Sequence, residues 1–278
     1  MKFFKYQATG NDFILIDELK GNIVPEEEKA VFAKKVCRRR YSVGGDGVLF
    51  LEKSDKADLR MRIFNPDGTE ANMCGNGVRC AIKHYLENYS MKKECKVETL
   101  SGIIHGSMLK GDKGYRIVVD MGTPKMLRKE IPVKGDPENL FLGENVGGFE
   151  VYSINTGVPH SIVFVDSLDV DVKKVGREIR YNPIFPEGTN VDFVKIEGKD
   201  RISVRVYERG VEEETFSCGT GATASAIISS FLKKTDRIVN VSLIGGELTI
   251  RTVYENEFPV RSYMEGDAEL VYIGNLMQ

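Results

Sequence analysis

Two stretches of the chain have the clearest chemical character: "NMCGNGVRCAIKHYL", from Asn72 to Leu86, and "FSCGTGATASAIISSFL", from Phe216 to Leu232. Each opens on a cysteine, continues as Gly-x-Gly and runs into small and apolar residues that predict a helix. The first N–H groups of a helix have no partner within it and, together with the helix dipole, favour an anion. Glycine leaves the backbone bare, so a carboxylate or phosphate can come close. A cysteine at such a helix end is more acidic than usual. Taken singly, a cysteine before a helix is more often a small packing residue. Two related units, at Cys74 and Cys218, point further. If both helix starts face one cleft, the two thiols flank one ligand carbon. One can remove a proton from one face while the other returns a proton to the opposite face, which is racemisation or epimerisation by two bases, one thiolate and one thiol. N–H donors at the helix ends would stabilise the charge that builds on a carboxylate when the neighbouring carbon loses its proton. This chemistry requires no metal and no cofactor. The residues alone leave a lysine Schiff base to pyridoxal phosphate open, although no lysine stands in a Gly- or Ser-rich phosphate-binding context.

The elements that must position these cysteines read mostly as strands. "KFFKYQA", "DFILID", "GVLFLE" and "LRMRIF" in the first half, and "FEVYSINT", "SIVFVD", "VDFVKI" and "ISVRVYE" in the second, are short, rich in Ile, Val, Phe and Tyr, and punctuated by Gly, Asp and Asn. Such strands predict curved antiparallel sheets. Two further helices are expected. "PEEEKAVFAKKVCRRR", Pro25 to Arg40, has proline in its first turn, acids at its start and bases at its end. "DVKKVGREIR", Asp171 to Arg180, has an aspartate to cap it. The Ala/Ser-rich helix after Cys218 has no broad polar face, which predicts burial. Upstream of each cysteine, "RIFNPDGTEANMC" and "RVYERGVEEETFSC" both read as a strand and a polar turn leading to Cys-Gly-x-Gly. The pattern is that of an internal duplication.

With 278 residues the chain can bury a sizeable core in one large domain or two smaller ones. The Pro-, Gly- and Lys-rich segment Met121 to Gly143 marks the expected boundary. The N-terminal lobe is expected over residues 1–121 with 264–278, and the C-terminal lobe over 122–263. Charge is balanced, 39 basic against 41 acidic residues, so no nucleic-acid footprint is visible. Apolar runs such as Ser161 to Val165 are too short for a membrane span. The N-terminus turns polar too early for a signal peptide. The cytoplasm is therefore the expected compartment. Five scattered cysteines argue against a disulfide framework, and neither they nor the three histidines have zinc-ligand spacing. Cys37, Cys80 and Cys95 read as structural.

"ATGNDF" (Ala8 to Phe13), "FNPDGTEANMCGNGVRC" (Phe64 to Cys80), "GTNVDFV" (Gly188 to Val194) and "YERGVEEETFSCGTGATASA" (Tyr207 to Ala226) together resemble diaminopimelate epimerase, in that family's order and over most of the chain. The resemblance implies an α+β fold of two pseudo-symmetric lobes, each a mostly antiparallel, barrel-like sheet around a central helix. It implies a cofactor-independent isomerase that interconverts LL- and meso-diaminopimelate in lysine and cell-wall precursor synthesis, often as a homodimer. Carried over residue by residue, Cys74 and Cys218 look like the catalytic thiols. Gly75, Asn76, Gly219 and Thr220 resemble the helix-end positions that hold the reacting carboxylate. Asn11, Asn65, Asn190, Glu208 and Arg209 match substrate-binding positions. Arginine can grip a carboxylate bidentately, and asparagine both donates and accepts. His160 matches a histidine near the cleft. The blander readings are turn formation for Asn11 and Asn65 and a solvated charge pair for Glu208 and Arg209.

The chain departs from the family pattern at two places. Val158 stands where many members have an asparagine, with Asn155 close by as a substitute, and the segment between Arg209 and Cys218 is one residue longer than the commonest pattern, as a bulge would require. The main competitors are a proline or hydroxyproline racemase-like enzyme, whose first cysteine is typically followed by Gly-His rather than the Gly75-Asn76 seen here, and a non-catalytic small-ligand binder that keeps the cleft.

Overall fold

The computed structural model describes residues 1–111 and 114–277. Among these, eighteen strands and four α-helices form. The first half runs β1 (Lys2–Ala8), β2 (Asn11–Asp17), α1 (Lys29–Val36), β3 (Gly47–Glu52), β4 (Leu59–Phe64), β5 (Glu70–Ala71), α2 (Gly75–Asn88), β6 (Glu94–Thr99), β7 (Gly102–Gly111) and β8 (Gly114–Gly122). The chain continues through β9 (Phe141–Val146), β10 (Phe149–Asn155), β11 (Pro159–Phe164), α3 (Val172–Arg180), β12 (Asn190–Ile196), β13 (Arg201–Glu208), β14 (Glu213–Thr215), α4 (Gly219–Phe231), β15 (Ile238–Leu243), β16 (Gly246–Glu255), β17 (Phe258–Gly266) and β18 (Glu269–Asn275). Two compact units result, Met1–Val119 with Glu265–Gln278, and Asp120–Met264.

In the first unit β1 pairs antiparallel with β2, and β2 parallel with β3 across α1. β3 pairs antiparallel with β4, β4 antiparallel with β5, and β4 parallel with β6 across α2. The second unit repeats the scheme: β10 with β11 antiparallel, β11 with β12 parallel across α3, β12 with β13 and β13 with β14 antiparallel, and β13 with β15 parallel across α4. The fold is α+β with a mixed sheet. The parallel pairs that strand patterning alone did not predict fall where a helix supplies the crossover that parallel neighbours need.

The cysteine-headed helices are central to their own units. α2 packs against β1, β3, β4, β6 and β7, and α4 against β10, β11, β12, β13, β15 and β16. From Gly221 to Ser230 every residue of α4 is buried, as its lack of a polar face predicts. Two of its buried hydroxyls turn back on the helix itself, while that of Ser225 has no partner among the described residues. Thr223 donates to the Gly219 carbonyl and Ser229 to the Ser225 carbonyl, which removes the cost of burying them. Ile14, Ile16, Val48 and Phe50 form a core beneath α1, and Val151, Val163, Val191 and Phe193 one beneath α3.

The helix predicted over Pro25 to Arg40 is shorter. A 3₁₀ turn, Glu26–Glu28, precedes α1, and α1 ends at Val36. The following loop folds back, and the N–H groups of Gly44 and Gly45 bond to the carbonyls of Val36 and Cys37 at 2.9 and 3.2 Å. That satisfies the helix's last acceptors and stops its propagation. α3 begins as predicted, with the Asp171 side chain accepting from the Lys174 N–H. Met1 and Leu276 lie together in the first unit. β18 pairs antiparallel with β1, and Met1 and Leu276 exchange hydrogen bonds.

Candidate active site

Cys74 is the N-cap of α2, in an extended conformation (φ −143°, ψ 118°), and its carbonyl accepts the first helical bond, from Val78 N–H, at 2.8 Å. Its thiol points at Asn11, with Sγ 3.7 Å from Oδ1. The same oxygen accepts from Asn76 Nδ2 at 3.3 Å. Asn76 Oδ1 in turn accepts from the Thr9 hydroxyl at 3.2 Å, and Thr9 Oγ1 from Arg79 Nη2 at 2.9 Å. Arg79 is wholly buried on α2. Asn11 stands at the head of β2, where Asp46 takes its amide N–H at 2.7 Å. Gly77 allows a close approach. A β-carbon there would sit 3.0 Å from Leu49 Cδ2 and 3.6 Å from Cys74 Cβ, so the glycine seats the helix start close against β3.

Charged side chains surround the base of Asn11. Asp12 pairs with Lys5 at 2.6 Å and with Arg39. Burial alone would raise the Asp12 carboxyl, but Arg39 and Lys5 overcome it and hold the group at about 2. Asn65 is engaged in the turn between β4 and β5. Its N–H bonds to the Thr69 carbonyl at 2.8 Å and its side-chain amide to Thr69 Oγ1 at 3.0 Å.

The second unit builds a related but different surround. Cys218 is the N-cap of α4 (φ −126°, ψ 108°), with Ala222 N–H bonded to its carbonyl at 2.9 Å. Its Sγ lies 3.3 Å from Thr220 Oγ1. His160 Nε2 lies 2.9 Å from the same hydroxyl, and His160 Nδ1 lies 2.7 Å from Asp192 Oδ2. His160 and Asp192 are both fully buried. Burial disfavours the imidazolium, but the Asp192 carboxylate and the neighbouring Cys218 sulfur outweigh it, and His160 titrates well above its ordinary value. Gly221 makes this possible, because a β-carbon there would meet Asp192 Oδ1 at 2.5 Å and His160 Cε1 at 3.2 Å. The second glycine of each motif thus admits a different neighbour, a leucine in one unit and a histidine–aspartate pair in the other.

Asn190 joins the end of β13 to this region. It donates to the Pro159 carbonyl at 2.9 Å and accepts from Arg209 N–H at 2.7 Å. The Arg209 guanidinium reaches back to the carbonyls of Glu187 and Gly188 at 3.1 and 3.4 Å. Burial raises the Glu208 carboxyl, Thr215 and the His160 cation work against that rise, and Asp192 adds to it. The β13–β14 register is unbroken from Val206 to Glu208, so the added residue before Cys218 produces no bulge there. The turn takes up Gly210 and Glu212 in left-handed conformations instead (φ 94° and 59°). Asn155 is tied into its own turn, donating to the Glu130 carbonyl at 2.8 Å and accepting from Gly157 N–H at 2.9 Å.

The structure therefore joins Asn11, Cys74 and Asn76 in one unit, and His160, Cys218 and Thr220 in the other. Thr9, Asp46, Arg79 and Asp192 also belong to these networks and were not anticipated. Thr9, Arg79 and Asp192 lie within the quoted motifs, and Asp192 leaves the further trace of an acid inside the apolar strand "NVDFV". The remaining cysteines behave as packing residues, since burial pushes Cys37 up to about 11 and Cys80 and Cys95 up to about 12.

A family model described as diaminopimelate epimerase matches residues 3–127 and 152–271. A relative of that name from Archaeoglobus fulgidus is 48% identical over 274 residues, covering 99% of this chain and 95% of its own. One from Carboxydothermus hydrogenoformans is 40% identical over 278 residues, covering 99% and 98%. Among solved structures, a phenazine biosynthesis protein of the PhzF family from Bacillus anthracis has a TM-score of 0.74 at 20% identity, covering 100% of this chain and 99% of its own. A hydroxyproline epimerase from Agrobacterium vitis has a TM-score of 0.66 at 16% identity, covering 99% and 91%. At these identities the two structures share the fold with this chain.

Proposed function

Because the chain belongs to the diaminopimelate epimerase family, we propose that it interconverts LL- and meso-diaminopimelate by moving one α-proton between two thiols. Cys74 and Cys218 are the acid–base pair. One, as thiolate, removes the proton from one face of the α-carbon, and the other, as thiol, donates its own proton to the opposite face. Each turnover exchanges their protonation states, and the reverse reaction swaps their roles. The negative charge that builds on the substrate carboxylate is met by the backbone N–H groups of Gly75 and Asn76 and of Gly219 and Thr220. Asn11, Asn65, Asn190, Glu208 and Arg209 hold the rest of the substrate, including its unreacting amino-acid end. His160 and Thr220 orient the Cys218 side. No cofactor takes part in this route.

The observation that most directly supports the reading is the equivalence of the two cysteines. Each caps the helix that crosses between the second parallel strand pair of its unit, and each has a polar side chain against its sulfur. The reading extends to a cytoplasmic homodimer. Among the described residues no helix is long and apolar enough to cross a membrane, and light scattering of the purified protein tests the dimer.

The deciding experiment is incubation with LL-diaminopimelate in D₂O without added cofactor. Deuterium should enter at one α-carbon as the meso isomer forms. Absence of exchange, or epimerisation at the wild-type rate by Cys74→Ala or Cys218→Ala, would overturn the mechanism. Turnover of proline equal to that of diaminopimelate would assign the chain to proline racemase-like chemistry instead.

A further inference from the structure

Asp46 has no part in the reaction as written, yet it closes a hydrogen-bond chain whose Asn11 member faces Cys74. The chain runs Arg79 to Thr9 (2.9 Å), Thr9 to Asn76 (3.2 Å), Asn76 to Asn11 (3.3 Å) and Asn11 to Asp46 (2.7 Å). Its first member, a guanidinium, can only donate, and its last, a carboxylate, can only accept. Both ends therefore impose the same direction on the hydroxyl and two amides between them. Reversing either amide would set donor against donor or acceptor against acceptor. In the imposed direction Asn11 turns its oxygen toward Cys74 Sγ, at 3.7 Å. An amide oxygen accepts from a thiol but offers nothing to a thiolate.

Asp46 is itself held. Its Oδ1 accepts from Arg39 Nη2 at 2.8 Å, its Oδ2 also accepts from Asp12 N–H at 3.1 Å, and its own N–H donates to the Asp12 carbonyl at 2.8 Å. The charged groups around it are thus Arg39 and Asp12, with Lys5 paired to Asp12 at 2.6 Å. Among the described residues, the groups next to Cys218 in the second unit include a hydroxyl and the His160–Asp192 pair instead.

We infer that Asp46 is a positioning residue for Cys74: it locks the Asn11 amide with its oxygen toward the sulfur, so that the free protein holds Cys74 as a hydrogen-bond-donating thiol. The inference rests on the proposed function in treating Cys74 as a working thiol, but it can be read without any turnover.

The test follows iodoacetamide alkylation of Cys74 across pH by mass spectrometry, in a Cys218→Ser background and without substrate. Releasing the amide by Asp46→Ala lets Asn11 present its NH₂ group to sulfur, which favours the thiolate. The alkylation profile should move to lower pH by about one unit, the typical net worth of one hydrogen bond. Asp46→Asn keeps the shape but must share one oxygen between Asn11 and Arg39, and should move the profile the same way by less. In an Asn11→Leu background the Asp46→Ala change should have no further effect, because the two residues act through one contact. An unchanged profile in both Asp46 variants, or a shift that persists undiminished without Asn11, would overturn the inference. Loss of epimerisation would not bear on this readout, so failure here and failure of the proposed reaction are distinguishable.

Discussion

His160 Nδ1 lies 2.7 Å from Asp192 Oδ2, and neither residue has any exposed surface. This buried pair gives folding a defined pH dependence. His160 is shifted from 6.5 to about 10 against its own burial, by the Asp192 carboxylate and the adjacent Cys218 sulfur. A raised folded-state value means that the pair's contribution is complete below about pH 6.5 and is lost as pH rises through about 10. In Asp192→Asn the imidazolium loses its counter-ion. The stability gap between wild type and variant, measured by urea unfolding, should therefore be widest near pH 6 and narrow toward pH 10, as linkage requires. A gap that widens with pH would contradict this assignment.

The paired glycines offer a contrast of cost at equivalent positions. Alanine favours a helix over glycine by about 1 kcal/mol. At Gly77 the new methyl meets the far end of Leu49, at 3.0 Å, which can yield. We expect Gly77→Ala to stay within about 1 kcal/mol of wild type. At Gly221 it meets Asp192 Oδ1 at 2.5 Å and must break the buried pair. Gly221→Ala should cost about 2 kcal/mol or more and lower activity with it. Equal thermal unfolding of the two variants would show that the pair yields as easily as a leucine.

Thiol reactivity should divide the five cysteines. Burial raises Cys37, Cys80 and Cys95 to about 11, 12 and 12. Brief alkylation of the native protein at mildly alkaline pH, followed by peptide mapping, should leave these three unlabelled while Cys74 and Cys218 react. Labelling of Cys80 at the rate of Cys74 would mean that α2 opens far more readily than its packing implies.

Asn190 is nearly fully buried and makes two bonds, one to Pro159 and one to the backbone of Arg209. Asn190→Ala should cost about 2 kcal/mol in stability. Because it frees the segment that carries Arg209, it should raise KM for diaminopimelate more than it lowers kcat. A change confined to kcat would place Asn190 nearer the reacting carbon than the present reading does.

Local signals carried much of the fold. Strand periodicity located β1, β3 and β4 to the residue, and the Cys-Gly-x-Gly pattern located α2 and α4, which start one and three residues earlier than the segments Asn76–Asn88 and Ala222–Lys234 that read as helical. What escaped was set by partners distant in sequence. β14 is three residues long, and β5 only two, so neither has room to alternate. The end of α1 is decided by loop N–H groups several residues downstream, not by the bases that appear to complete the helix. The same holds within the candidate site. The cysteines, His160, Asn11, Thr9 and Arg79 stand in motifs and Asp46 does not, but the parts of Thr9, Asp46 and Arg79 are set by hydrogen bonds between segments as much as 70 residues apart, for which the chain has no local mark.

The pairing of β1 with β18 brings Met1 and Leu276 side by side, through bonds that the two residues exchange. Over residues 1–276 the path of the polypeptide is therefore close to a closed ring. A short linker between the termini and a new opening at the exposed Gly147–Gly148 turn, between β9 and β10, should yield a circular permutant with the same strand pairings. Such a permutant would fold with β10 at its front, beginning synthesis inside the unit that this chain enters second.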